Sequence, residues 1–151
     1  MKIRIEVDKN QKEDEVVIRC GELTEEIVAL QKQIDEWISH ESQIIFYKGE
    51  KEYYIPLEEL LFFETEANGI CAHTIDQAYQ VKYKLYELEE RLPRNFLRVS
   101  KSTILNVNRI YSITRNLTAS SVVEFQMTHK QVYVSRNYIK ALQEKLKEKR
   151  K

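Results

Sequence analysis

From residue 43 onward, apolar residues alternate with polar ones in short runs, and turn-forming residues separate each run from the next. The sequence has ten such runs, at 43–47, 51–55, 61–66, 70–74, 79–83, 96–100, 103–106, 110–115, 121–127 and 131–134. Runs of this length with a period of two are typical of β-strands. Because strands and long helices do not alternate along the chain, a parallel α/β sheet is excluded, and the fold is predicted to be mostly β.

Short helices are predicted at three places among these strands. A helical turn at 57–60 follows Pro56, and a short helix that begins near residue 85 stops before Pro93. Proline suits the start of a helix and disfavours helical backbone in the residue before it. A last helix carries apolar residues on one side from Ile139 onward, with lysines near its C-terminus, where the helix dipole favours them.

Residues 1–42 follow a different pattern. Alternating stretches at 3–7 and 16–20 predict two short strands, and an apolar stripe at helical spacing predicts an amphipathic helix, with Leu23, Ile27, Leu30, Ile34 and Trp37 in the stripe. A β-β-α unit of this size buries too little surface to be stable alone, so we expect it to pack on the rest of the chain or on a second copy. With a linker at His40-Glu41-Ser42, the predicted domains are 1–42 and 43–151.

The net charge of zero conceals an asymmetric distribution. Residues 1–93 hold 11 basic and 21 acidic side chains, whereas residues 94–151 hold 13 basic and 3 acidic ones. A basic region of this kind indicates a polyanionic partner. The alternative is that these charges only balance the acidic half within one folded domain.

Several function classes find no support in the sequence. The three glycines are too scattered for a phosphate-binding loop, and no serine lies in a nucleophile elbow. The three histidines lack ligand spacing, so no enzyme activity, cofactor or metal is expected. Cys20 and Cys71 each stand alone, without paired spacing, and are expected to be reduced thiols. No run approaches the length of a membrane span and the N-terminus has no signal peptide, so a soluble, cytoplasmic protein is expected.

Two polar clusters suggest contact with a polyanion. Arg136 lies at the start of the last helix, where the dipole disfavours a cation, and Ser135 or Asn137 could cap that helix. An anion or a guanine edge would compensate for this placement, whereas the alternative is an ion pair with a nearby acid. The second cluster is a run of cations and hydroxyls, or else simply a polar strand-end turn: Arg98, Ser100, Lys101, Ser102 and Thr103.

At these residues the chain resembles the LytTR-type DNA-binding domain of many bacterial response regulators. Four pieces in the right order carry the resemblance over about residues 43–147: IPLEELLFFE at 55–64, YELEERLP at 86–93, FLRVSKSTILN at 96–106 and VSR at 134–136. Members of this family enter successive major grooves through loops and strand ends. The whole chain also resembles stand-alone regulators with a short N-terminal extension, often encoded beside a small membrane protein.

The resemblance implies specific residue roles. The family's base-contacting positions fall on Asn68, Lys101 and Arg136, and its contacts with the DNA backbone fall on Arg98, Ser100, Ser102, Ser135 and Asn137. Many members carry a histidine where Ser100 stands. The Asn68-Gly69 pair is in any case typical of a hairpin turn. Residues 1–42 are too few for a receiver domain, so phosphorylation of the receiver type is not expected.

Two functions therefore compete. The first is a sequence-specific transcription regulator that binds promoter DNA as a homodimer. The second is a protein-interaction module whose basic face meets an acidic partner or a membrane protein. Binding that falls steeply with salt and differs between promoter and random duplexes would distinguish the first from the second.

Overall fold

The structure is a computed structural model that describes residues 1–41 and 44–149. The chain divides into two compact units, residues 1–39 and residues 40–151. No helix in the described ranges is long and apolar enough to cross a membrane.

The first unit contains one helix, α1, at Glu25–Glu41. Thr24 starts it, since its hydroxyl accepts a hydrogen bond from the amide of Ile27 at 3.3 Å. Along the apolar stripe, Ile27, Leu30 and Ile34 are half-buried, whereas Leu23 and Trp37 are 72% and 63% exposed. The predicted linker overlaps the end of α1 at Glu41, and Ser42 lies outside the described residues.

The two strands predicted before α1 are not formed. Residues 1–24 take part in no β-ladder of the described chain, although a turn closed by the Gln11 amide and the Asp8 carbonyl lies between the two stretches. Ile3, Ile5 and Val7 are each more than 80% exposed. An alternating pattern forms a strand only where a partner edge and a core face are available, and within this unit neither is.

The second unit is mostly β, as predicted, and its sheets are antiparallel throughout. Its strands are β1 Phe46–Lys48, β2 Lys51–Tyr53, β3 Phe62–Glu66, β4 Gly69–His73, β5 Ala78–Val81, β6 Phe96–Arg98, β7 Thr103–Asn106, β8 Ile110–Thr114, β9 Ser121–Phe125 and β10 Gln131–Val134. Its helices are α2 Leu85–Arg91 and α3 Ile139–Lys149, with 3₁₀ turns at Leu57–Glu59 and Val107–Arg109. Each of the ten predicted runs therefore contains or overlaps one strand.

The strands form two sheets. The larger sheet has the order β2-β1-β5-β4-β3-β7-β6, and the smaller has the order β10-β9-β8. The larger sheet is covered on both faces, as Phe62 and Phe63 of β3 show. Neighbouring residues of a strand point to opposite faces of the sheet. Phe63 packs with residues of α2 such as Leu88, and Phe62 packs with the smaller sheet and with Leu142 of α3.

A buried asparagine closes the corner after β7. The Nδ2 atom of Asn106 donates to the Leu60 carbonyl at 2.9 Å, and its Oδ1 accepts from Asn95 Nδ2 at 2.8 Å and from the Asn108 amide at 3.0 Å. Only 1% of Asn106 is exposed. These bonds hold the 3₁₀ turn after β7 against the end of the segment that leads into β3.

A lysine ties the loop before β10 to the larger sheet. Lys130 Nζ donates to the carbonyls of Thr74 and Gln77, both at 2.9 Å, and lies 3.3 Å from Nδ1 of His73. Because an ammonium group only donates, Nδ1 is the acceptor and Nε2 carries the proton toward Glu66, 3.1 Å away. Burial lowers the pKa of His73, which favours this neutral form.

We predict that Asn106→Leu lowers the free energy of unfolding by about 2 to 3 kcal/mol, because buried polar partners left without a hydrogen bond cost about 1 to 3 kcal/mol each. Chemical denaturation of both proteins measures the difference. Asn108→Ala is the control, since the described hydrogen bond of Asn108 uses its backbone amide, and it should change stability by less than about 0.5 kcal/mol. Equal stability of Asn106→Leu and the unmodified chain would contradict the prediction.

Candidate nucleic-acid interface

The polar residues nominated by the sequence lie on three connections between elements of the second unit. The 67–69 turn joins β3 to β4, the 100–102 loop joins β6 to β7, and the 135–137 segment joins β10 to α3. A groove connects the 67–69 turn with the 100–102 loop, and a backbone hydrogen bond connects the 135–137 segment with the residue before that loop.

The 67–69 turn is the tight hairpin that the sequence predicts. Glu66 pairs with Gly69, so Ala67 and Asn68 form the two-residue loop. The positive φ falls on Gly69, at 119°, after the two central residues and not on them, and residues with a side chain rarely adopt this value. The Asn68 side chain is exposed at the tip of the turn.

The 100–102 loop is held by hydrogen bonds within the loop, from β3 and from the Arg98 side chain. The Ser102 amide donates to Ser100 Oγ at 3.2 Å, and the Ser102 carbonyl accepts from the Thr65 amide at 2.9 Å. Val99, immediately before the loop, is fully buried, whereas Lys101 is exposed. The loop therefore presents the Lys101 side chain to solvent, while the residue that precedes the loop, Val99, is anchored in the core.

The 135–137 segment is hydrogen-bonded to Val99, the residue that precedes the 100–102 loop. The Ser135 amide donates to the Val99 carbonyl at 2.8 Å, and the Ser135 carbonyl accepts from the Tyr138 amide at 2.9 Å, one turn before α3 begins. Arg136 and Asn137 are exposed. The first turn of α3 holds no acid, so this helix start does not supply the ion pair that the sequence left as an alternative for Arg136.

An open groove connects the 67–69 turn with the 100–102 loop. Its lining includes Gly69 and Lys101, together with cations and tyrosines from the β5–α2 connection: Lys82, Tyr83, Lys84 and Tyr86. Lys82 and Lys84 were not nominated by the sequence analysis. They lie in the acidic half of the chain, and only their alternation in Val81-Lys82-Tyr83-Lys84 could have indicated that they share one side of the connection.

The polar side chains predicted from the sequence to contact DNA differ in what they contact within the protein. In the ranges 1–41 and 44–149, the side chains of Asn68, Lys101 and Arg136 make no hydrogen bond or ion pair with the protein. The guanidinium of Arg98, by contrast, donates to the carbonyls of Ser100 and Lys101 and pairs with a carboxylate of α2. Three polar side chains are thus available to a ligand, whereas the donors of Arg98 are engaged within the protein.

The described part of the chain contains no group of three or more histidine, cysteine, aspartate or glutamate side chains that could hold a metal ion. His73 is engaged between Glu66 and Lys130, as described above. Burial and a hydrogen bond with Glu66 raise the pKa of Cys71 to about 11, so its thiol stays protonated at neutral pH.

Comparison with known proteins identifies relatives of this architecture. A family model described as the LytTr DNA-binding domain matches residues 50–147. Two curated proteins named uncharacterized HTH-type transcriptional regulators, from Staphylococcus aureus strains NCTC 8325 and COL, are each 24% identical over 147 residues, covering 97% of this chain and 98% of their own length. The solved LytTr DNA-binding domain of a methyl-accepting/DNA response regulator from Bacillus cereus is 22% identical, with a TM-score of 0.63 over 69% of this chain and 95% of that domain.

The two cysteines should react with a thiol reagent at very different rates. At pH 8 an aromatic disulfide reagent should modify Cys20, which is exposed, at least about tenfold faster than Cys71, whose raised pKa leaves little thiolate. Cys20→Ser should remove the fast phase and Cys71→Ser should leave it. Equal rates at both thiols in the folded protein would contradict this expectation.

Proposed function

The chain belongs to the LytTr DNA-binding domain family, and from that premise we propose that it is a sequence-specific transcription regulator that binds promoter DNA in the cytoplasm. The observation that carries this proposal is the set of Asn68, Lys101 and Arg136. Each is exposed on a different connection of one unit, and none has a partner in the described chain. The similarity to curated transcriptional regulators over 97% of the chain supports the same function.

We assign base contacts to the side chains that the protein leaves unpaired. Arginine and lysine read guanine through its O6 and N7 atoms, and asparagine reads adenine, all from the major groove. Lys101 and Arg136 lie on segments joined by the Ser135–Val99 hydrogen bond, so one duplex could meet both. Hydroxyl and amide groups nearby suit phosphate oxygens and are assigned to the DNA backbone: Ser100, Ser102, Ser135 and Asn137.

The position of Arg136 favours an anionic or strongly electronegative partner. It precedes α3, whose N-terminal amides point outward and favour negative charge. In the described chain no acid is paired with Arg136. A DNA phosphate or a guanine edge would supply the electronegative partner that neither the N-terminus of α3 nor the Arg136 guanidinium has in the described chain.

The alternative function is a protein-interaction module whose basic face meets an acidic or membrane-protein partner. The groove between the 67–69 turn and the 100–102 loop carries cations that such a partner would also meet. An acidic protein partner would, however, leave the chain without preference among DNA sequences. Enrichment of one sequence from a pool of random duplexes by the full chain therefore separates the two functions.

We propose that residues 1–42 serve as an extension for self-association and residues 43–151 as the DNA-binding domain. Leu23 and Trp37 remain 72% and 63% exposed at the ends of the α1 stripe, and Ile3, Ile5 and Val7 are almost fully exposed. Exposed apolar side chains in this number favour an association surface. A second copy is the occupant we favour, since two copies could engage two half-sites on one duplex.

Lys101→Ala and Arg136→Ala should each lose about 1 to 3 kcal/mol of affinity for the enriched duplex, and much less for a scrambled duplex, because base-edge hydrogen bonds carry the discrimination. Titration of each folded variant against both duplexes at several salt concentrations measures the two losses.

Lys51→Ala is the matched control. Lys51 is an exposed lysine on β2, at the opposite edge of the larger sheet from β6 and β7, and its loss should alter neither affinity by more than about threefold, or 0.6 kcal/mol. Equal losses on both duplexes for Arg136→Ala would remove that residue from the base contacts.

Leu23→Glu combined with Trp37→Glu should convert a dimer into a monomer without lowering the melting temperature of the second unit, because both side chains are exposed in the single chain. Light scattering after size exclusion should then give the mass of one 18.1-kDa chain. Leu117→Glu, at a residue that is 83% exposed in the second unit, is the control and should remain dimeric. A monomeric unmodified chain would refute self-association.

A further inference from the structure

We infer that Arg98 and Glu89 form a clamp that positions the 100–102 loop for DNA recognition, rather than Arg98 binding a phosphate itself. The inference rests on the proposed function, because it concerns how Lys101 is presented to a base. It also predicts a property of the protein without DNA, namely slow exchange of the hydrogen-bonded amides of Val99 and Ser102, because the clamp restricts opening of this segment.

The guanidinium of Arg98 holds two consecutive carbonyls of the loop. Its Nε donates to the Ser100 carbonyl at 2.6 Å, and its Nη2 donates to the Lys101 carbonyl at 2.5 Å. Its Nη1 forms an ion pair with Glu89 of α2. Only 23% of the Arg98 side chain is exposed, so the clamp lies beneath the loop.

The clamp fixes the residue that we assign to base reading. The Lys101 carbonyl is bound from below by Arg98, and the Ser102 carbonyl is bound by the Thr65 amide of β3 at 2.9 Å. The carbonyls of Ser100 and Lys101, both bound by Arg98, belong to the two peptide groups that flank the Lys101 side chain, and that side chain is exposed and unpaired in the described chain. A base contact needs this geometry in advance, because ordering a loop on binding costs affinity.

The chemistry of the clamp requires arginine. Guanidinium presents its donors as a planar fork, which matches two carbonyls and a carboxylate at once. Lysine would keep the positive charge but offers a single nitrogen on a flexible stem. A phosphate contact tolerates that replacement far better than a clamp does, since lysine also binds phosphate as a point charge.

Replacement of Glu89 tests the clamp, because the clamp and simple electrostatics predict opposite changes in DNA affinity. Removing an acid near a polyanion's binding surface ordinarily strengthens binding to any DNA. The clamp predicts instead that Glu89→Gln weakens binding to the enriched duplex, because Arg98 loses its charged partner. Glu90, the next residue of α2, is an exposed acid with no ion pair in the described chain, so Glu90→Gln is the matched control.

The experiment compares Arg98→Lys, Arg98→Ala, Glu89→Gln and Glu90→Gln in the full chain. Titrations use the duplex enriched from random sequence and a scrambled duplex of the same composition, over a range of salt concentrations. Arg98→Lys and Glu89→Gln should each bind the enriched duplex at least about tenfold more weakly, the scrambled duplex within about twofold of the unmodified chain, and with an unchanged salt slope. Glu90→Gln should bind both duplexes as tightly as the unmodified chain or slightly more so.

A phosphate contact gives a different result. Arg98→Ala would then weaken binding to both duplexes alike and reduce the salt slope by about one, while Arg98→Lys would bind nearly normally. That outcome, or identical behaviour of Glu89→Gln and Glu90→Gln, would overturn the clamp.

Hydrogen exchange in the protein without DNA tests the clamp even if no duplex is enriched. Peptides that cover 98–103 should exchange at least about fivefold faster in Arg98→Lys and Glu89→Gln than in the unmodified chain, with unchanged exchange in β9 as a check on folding. Unchanged exchange at 98–103 would refute the clamp, whereas failure to enrich any duplex would refute the proposed function alone.

Discussion

The backbone hydrogen bond from the Ser135 amide to the Val99 carbonyl joins the last strand of the smaller sheet to the loop between β6 and β7 of the larger one. Val99 and Val134 on either side of it are fully buried in one apolar cluster. This cluster packs the two sheets and α3 together, so it also fixes where the 100–102 loop and the 135–137 segment lie. Two connections that are more than 30 residues apart in sequence are thereby held next to each other.

The polar residues of this unit have different structural roles, which depend on how deeply each one is buried. Buried side chains such as Asn106 hold the corners of the larger sheet, and half-buried ones such as Arg98 hold the loops. Residues at the tips, such as Lys101 and Arg136, are left without partners in the described chain. Rigid support with unpaired tips is what a surface needs if it is to discriminate among ligands by hydrogen bonding.

The strand pattern of the second unit was predictable because each of its strands obtained both a neighbour to pair with and a core to face. The same alternation in residues 1–24 did not form strands, since the described residues of that unit offer no partner edge within it. The overall charge asymmetry and the placement of Arg136 led the prediction to the 100–102 loop and the 135–137 segment, which the fold joins through the Ser135–Val99 hydrogen bond. Lys82 and Lys84 could not be found in this way, because only the fold brings the β5–α2 connection beside Gly69 and Lys101. Nor could the sequence show that Arg98 is engaged within the protein while Lys101 is not, since this depends on which carbonyls lie within reach of each cation.

Hydrogen exchange of the full chain, with and without the duplex enriched from random sequence, tests the central claim most directly. Binding should slow exchange in peptides that contain the 67–69 turn, the 100–102 loop and the 135–137 segment, and should leave β1 and β2 at the far edge of the larger sheet unchanged. Protection confined to residues outside these three segments would contradict the account.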